Sequence, residues 1–184
     1  LTRFIENHDE QRAVAHFGLP KSKMGAVMIC TLPGATLLHD GQFEGRRVKL
    51  PVQIGRQPEE KLDMELKQFY QRLLQETRAP IYQRGHWVQY HPSPAKDNGS
   101  HHNLVAYGWR CDHQYRLIVI NLTGSWSQAH ISLYLWPEMG HSNWLLTDIL
   151  NDAHYTQGGG HMLNPGLYVE LAPYSAHVFH LERH

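Results

Sequence analysis

The sequence predicts an α/β half followed by an all-β half within 184 residues. The first, residues 1–80, reads as a quarter of a (β/α)8 barrel, and the second, 81–184, as an antiparallel β-sandwich. Three observations carry this. Strand, helix and strand follow one another over the first forty residues, an order that implies parallel pairing through a crossover. The first strand ends in a dense polar run, Glu6-Asn7-His8-Asp9, as barrel strands do where they present catalytic groups. Beyond Ala79-Pro80 the apolar period changes from helical to two.

Taken in order, Leu1 to Ile5 is a short buried strand, and a helix is expected from about Asp9 to Phe17. Gly18-Leu19-Pro20 should break it, with Ser22 capping a second helix over Lys23 to Leu32. Pro33-Gly34 ends that helix and opens a strand from Ala35 to His39. Residues 40–60 are a long polar loop, and loops of that length are usually functional or disordered. Leu62, Leu66, Phe69, Tyr70, Leu73 and Leu74 then recur at helical spacing, predicting an amphipathic helix over Asp63 to Thr77. Pro80 disfavours helix just before it. Seven strands are expected afterwards: His86–His91, Asn103–Arg110, Tyr115–Leu122, His130–Leu135, Asn143–Leu150, Gly166–Leu171 and Ala176–Leu181. Turn signals at Asp97-Asn98-Gly99, Asp112-His113 and Gly158-Gly159-Gly160 separate them, as in a sandwich.

Composition excludes several function classes. Lys plus Arg equals Asp plus Glu at 17 each, so the basic stripe of a nucleic-acid surface is not expected. No apolar run reaches the roughly 18 residues of a membrane span. Two cysteines far apart give no disulfide framework, which favours a cytoplasmic origin, and Cys30 reads as a buried inert thiol. The chain begins with Leu1 inside a predicted strand, so it is expected to be the C-terminal piece of a longer protein.

Asn7-His8-Asp9 has two readings from the residues alone: catalytic groups on a βα loop, or caps for the next helix. The segment Phe4-Ile5-Glu6-Asn7-His8-Asp9-Glu10-Gln11-Arg12-Ala13 resembles the fourth signature segment of the α-amylase family of retaining α-glycosidases. Some thirty residues on, Leu32-Pro33-Gly34-Ala35-Thr36-Leu37-Leu38-His39-Asp40-Gly41-Gln42-Phe43-Glu44 is similar to that family's last barrel strand and following loop. The resemblance implies a glycosidase or transglycosidase acting on α-glucosidic bonds, with a C-terminal β-sandwich after the barrel.

By position the resemblance makes Asp9 the transition-state-stabilising carboxylate and His8 a donor to sugar hydroxyls, with Asn7 in support. Glu6 and Arg12 either bind further subsites or brace the loop. Gln42, Glu44 and Arg46 either line the substrate cleft or brace the barrel rim. His39-Asp40 stand where many members have aromatic residues, which alters the sugar subsites. The nucleophile and general acid belong to earlier strands, upstream of Leu1, so this chain alone is expected to be inactive. Its partners would be an α-glucan or α-glucoside and the missing N-terminal barrel. Calcium, where bound, would lie upstream too, and no cofactor or metal is expected here.

The chief rival is a non-catalytic carbohydrate-binding protein with the sandwich as its working part. Trp109, Trp126, Trp136 and Trp144 would stack on sugars in that reading and pack in the core in the bland one. The 15 His suggest metal binding, but neither HExxH nor CxxC occurs. His101-His102, if in a strand, would point to opposite faces. His8-Asp9 and His39-Asp40 could also suggest a phosphohydrolase, whose all-helical scaffold conflicts with the strand-rich second half.

Overall fold

The computed structural model describes residues 1–184 other than Val52, Ile54, Gly55 and Asp97. Two compact units divide at Arg78/Ala79. In the first, β1 (Thr2–Arg3) and β2 (Ala35–Thr36) pair in parallel, Thr2 opposite Ala35 and Arg3 opposite Thr36. Both strands are shorter than the apolar runs containing them, because a strand lasts only as long as its ladder. Between them run α1 (Ala13–Phe17) and α2 (Leu19–Thr31).

Two helix starts differ from the sequence reading. Helix α1 begins at Ala13, not near Asp9. The Asn7 side chain accepts the amides of Asp9 and Glu10 at 2.8 and 2.9 Å, holding this stretch as a loop. Helix α2 starts at Leu19, so Pro20 lies in its first turn, where its missing N–H costs nothing. Ser22 is therefore inside the helix and caps nothing; its hydroxyl donates back to the Gly18 carbonyl at 2.8 Å. Gly18, at φ 80°, supplies the bend between the helices.

Helix α3 (Met64–Thr77) follows the periodic pattern closely. Asp63 caps it, accepting the Leu66 amide at 2.9 Å. Leu66, Phe69, Tyr70 and Leu73 are buried on one face. Gly55 of the preceding loop lies outside the described residues.

The second unit is mostly antiparallel β. After a short helix, α4 (Ile81–Arg84), come β3 (His86–Tyr90), β4 (Ser93–Pro94), β5 (Leu104–Cys111), β6 (Gln114–Asn121), β7 (Ser127–Ile131), β8 (Asn143–Asp148), β9 (Ala153–Gly158), β10 (Leu167–Leu171) and β11 (Ala176–Arg183). Six strands form one sheet in the order β3-β5-β6-β11-β8-β9, and three form another in the order β10-β7-β4. The core includes Leu117 and Val119 of β6, Ala129 and Ile131 of β7, Val169 of β10 and Phe179 of β11. The turn at Asp112-His113 joins β5 to β6, with Asp112 at φ 51°. Asp97 of the turn expected at 97–99 lies outside the described residues.

Two expectations need correction here, and the two readings of the tryptophans are decided. The fourth strand lies at Ser127–Ile131, not His130–Leu135, because its register with β10 runs from Ser127–Leu171 to Ile131–Leu167. The glycine tract is no open turn: Gly158 ends β9, and Gly159 starts a short helical turn. A Cβ on Gly159 would sit 1.7 Å from the Met139 carbonyl oxygen, so this glycine serves a close backbone approach. Trp109, Trp136 and Trp144 are buried, and Trp126 is 65% exposed.

Candidate functional site

The loop after β1 and the loop after β2 meet around a cavity of about 210 Å3. Asn7, His8 and Arg12 line it from the first loop, and His39, Asp40, Arg46 and Lys49 from the second. Both sequence motifs thus contribute to one recess. The parallel pairing of two adjacent strands carries their C-terminal ends to the same edge, which is what brings the loops together.

Beneath the recess lies a charged cluster. Glu6 is 1% and Arg12 5% exposed. Their side chains approach to 3.1 Å as an ion pair, while the other Glu6 oxygen accepts the Ala13 amide at 2.6 Å. Arg12 also donates to the Asp40 carbonyl at 2.8 Å and to the Arg46 carbonyl at 3.4 Å. Its Nη1 lies 2.6 Å from His39 Nδ1. A guanidinium has no acceptor site, so Nδ1 accepts this bond and Nε2 carries the ring proton. Glu6 and Arg12 therefore brace the two loops against each other. Removing either would strand a buried charge, the costly way to break such a pair.

The other predicted residues divide between rim and support. His8 and Asp9 are exposed at 67% and 75% of their side chains, with Nε2 and Oδ2 3.3 Å apart. Asp9 is adjacent to the cavity lining through His8, and Lys49 donates to its backbone carbonyl. Asn7 spends its side-chain oxygen on the loop amides already described. Gln42 is buried, donating to the Tyr70 hydroxyl at 2.8 Å and accepting the His39 amide at 3.1 Å. Glu44 pairs with Lys67 of α3 at 3.1 Å. Arg46 reaches the Pro58 carbonyl at 3.4 Å and lines the recess. Gln42 and Glu44 thus fasten the loop to α3, while Asn7, His8 and Arg46 face the cavity.

Sequence reasoning placed His39 beside the sugar subsites by resemblance and passed over Lys49, and both line the recess. Only the fold of the loop shows that Lys49 does; the loop sequence carried no periodic signal. Burial pushes the Cys30 thiol up to about 12, which keeps it protonated and unreactive. Among the described residues no cluster of three His, Cys, Asp or Glu could hold a metal ion. His101 and His102 sit in a helical turn, not a strand, with their rings 3.9 Å apart. No helix among the described residues is long and apolar enough to cross a membrane.

No protein-family model matches the chain, and no curated protein matches it. Solved structures do. An α-amylase from Geobacillus thermoleovorans, complexed with acarbose, superposes with a TM-score of 0.72 at 18% identity, over 99% of this chain and 39% of that one. A maltogenic α-amylase from Thermotoga neapolitana gives 0.69 at 14%, over 97% and 40%. A trehalulose synthase from Pseudomonas mesoacidophila gives 0.62 at 14%, over 98% and 43%. The chain has the fold of part of these enzymes, and spans 39–43% of their length.

Proposed function

We propose that this chain is the C-terminal portion of an α-amylase-like glycoside hydrolase acting on α-glucosidic bonds. Residues 1–80 would complete a (β/α)8 catalytic barrel whose remaining strands lie in an N-terminal part, and residues 81–184 would be its C-terminal sandwich. The observation that carries the reading is the convergence of two motif loops, from adjacent parallel strands, on one polar recess. The shared fold with α-amylases supports it.

On this reading Asp9 stabilises the positive charge that develops on the sugar ring at the transition state. His8, within 3.3 Å of it, donates to a sugar hydroxyl. Asn7, with its oxygen engaged by the loop, keeps both in place, and Arg46 borders the sugar. Gln42 and Glu44 act indirectly, by fixing the loop that carries His39 and Arg46. Retaining hydrolysis needs a nucleophile and a general acid roughly 5–5.5 Å apart; these come from the N-terminal part, as does any calcium. No cofactor is assigned to this chain.

The test is an assay of the full-length protein on maltoheptaose, with the anomeric form of the first product read by NMR. Release of the α-anomer is expected. A β-anomer, or no cleavage of maltoheptaose or smaller α-glucosides, overturns the proposal.

A further inference from the structure

We infer that the second unit carries a saccharide-binding site built around Trp126. Trp126 alone among the described tryptophans is exposed, at 65%. Leaving an indole in water forgoes a large burial gain, yet nothing about its backbone is loose. The preceding turn is held by Asn121, which is fully buried. Its amide donates to the carbonyls of Ser125 at 2.7 Å and Ala172 at 2.9 Å, and its oxygen accepts the Thr123 amide at 3.0 Å. On the other side, Ser127 opens β7, donates to the Ser125 carbonyl at 3.2 Å and receives Asn103 Nδ2 at 3.0 Å. The indole is thus displayed from a turn fixed at both ends.

Polar groups stand beside it. Trp126, Asn98, Ser100, Gln128 and Glu170 line a depression of about 400 Å3. Gln128 and Glu170 face each other across the β7–β10 ladder. The Tyr168 hydroxyl lies 2.8 Å from Gln128 Oε1 and 2.7 Å from Glu170 Oε2; its single proton goes to one of these oxygens at a time and leaves the other an open acceptor. Tyr168 is itself exposed.

An aromatic face displayed from a fixed turn and flanked by a carboxylate and an amide is the chemistry that holds a pyranose. The C–H face of the sugar covers the indole, and its hydroxyls donate to Glu170 or accept from the Gln128 amide. Pre-fixing the turn removes ordering cost from binding. The ligand class is therefore a neutral oligosaccharide. That it is an α-glucan rests on the proposed function; that the site takes a pyranose chain does not.

The experiment is calorimetric titration of the intact chain with maltoheptaose and, separately, cellohexaose. The variants are Trp126→Ala, Trp126→Phe and Tyr155→Ala, each checked for an unchanged thermal melt. Trp126→Ala should weaken maltoheptaose binding by about tenfold or more, Trp126→Phe by less, and Tyr155→Ala, an exposed aromatic of β9 that does not line the depression, not at all. Binding of cellohexaose alone, lost in Trp126→Ala, keeps the site and overturns the α-glucosidic reading. Wild-type affinity in Trp126→Ala, or no binding of either sugar by the wild-type chain, overturns the site.

Discussion

At the scale of single residues, Asp9 and Asp148 show what surroundings do to the same carboxylate. Asp9 is exposed, its Oδ2 3.3 Å from His8 Nε2. On the proposed function, Asp9→Asn in the full-length protein should lower kcat by about 10²–10³ with little change in KM, since the proposed contact would strengthen only in the transition state. His8→Ala should raise KM as well, with a smaller fall in kcat; steady-state kinetics on maltoheptaose separates the two. Asp148 is fully buried. Burial alone would push its carboxyl up, but hydrogen bonds from His177 at 2.5 Å, Asn151 at 2.6 Å and the Val178 amide outweigh it and hold it below the usual carboxylate value. A depressed folded pKa contributes stability above the unfolded value, near 4, and loses it as pH falls through the folded one. Asp148→Asn should therefore cost about 1–3 kcal/mol at pH 7, with the gap to wild type narrowing at pH 3. Urea unfolding at the two pH values measures it; an equal gap at both would refute the assignment.

At the scale of elements, β5 shows how packing sets sequence. Gly108 lies mid-strand, where glycine has neither side-chain packing nor restricted freedom to offer. It is required because the Trp136 ring lies across it: a Cβ there would be 2.4 Å from the ring. Trp136 in turn packs edge-on against Tyr90 and Tyr115, at 5.3 and 5.2 Å between centroids. Gly108→Ala should destabilise the chain by about 1–3 kcal/mol through overpacking, while Gly99→Ala, in open surroundings, should change little. Thermal denaturation of both variants gives the comparison, and an unshifted melt for Gly108→Ala would contradict this packing.

At the scale of the molecule, the proposed division of labour predicts that this chain of 184 residues releases no reducing ends from maltoheptaose on its own. It would hold one of the three carboxylates that the reaction uses, and an electrostatic stabiliser has nothing to act on without a nucleophile and an acid. Turnover by the purified chain would refute that division. Local patterns were enough to locate α3, because Leu66, Phe69, Tyr70 and Leu73 repeat at the helical period. Alternation located most of the strands of the second unit for the same reason: side-chain direction along a strand follows from covalent geometry. It missed the two-residue β4 and also β9, none of whose residues Ala153–Gly158 is buried. The two motifs could be read from sequence, as could the Asn7-His8-Asp9 run between strand and helix. Their meeting in one recess could not, since Arg12 reaches His39 across 27 positions of chain and Gln42 reaches Tyr70 across 28. Exposure of tryptophan was equally beyond the sequence: Trp126 and Trp136 are the same residue type, and only the packing of distant strands leaves one in water and buries the other. Sequence alone determined what depends on near neighbours: the periods of helix and strand and the order of polar groups. Tertiary structure decided what depends on distant ones, because burial and charge pairing are set by whichever surfaces the folded chain brings together.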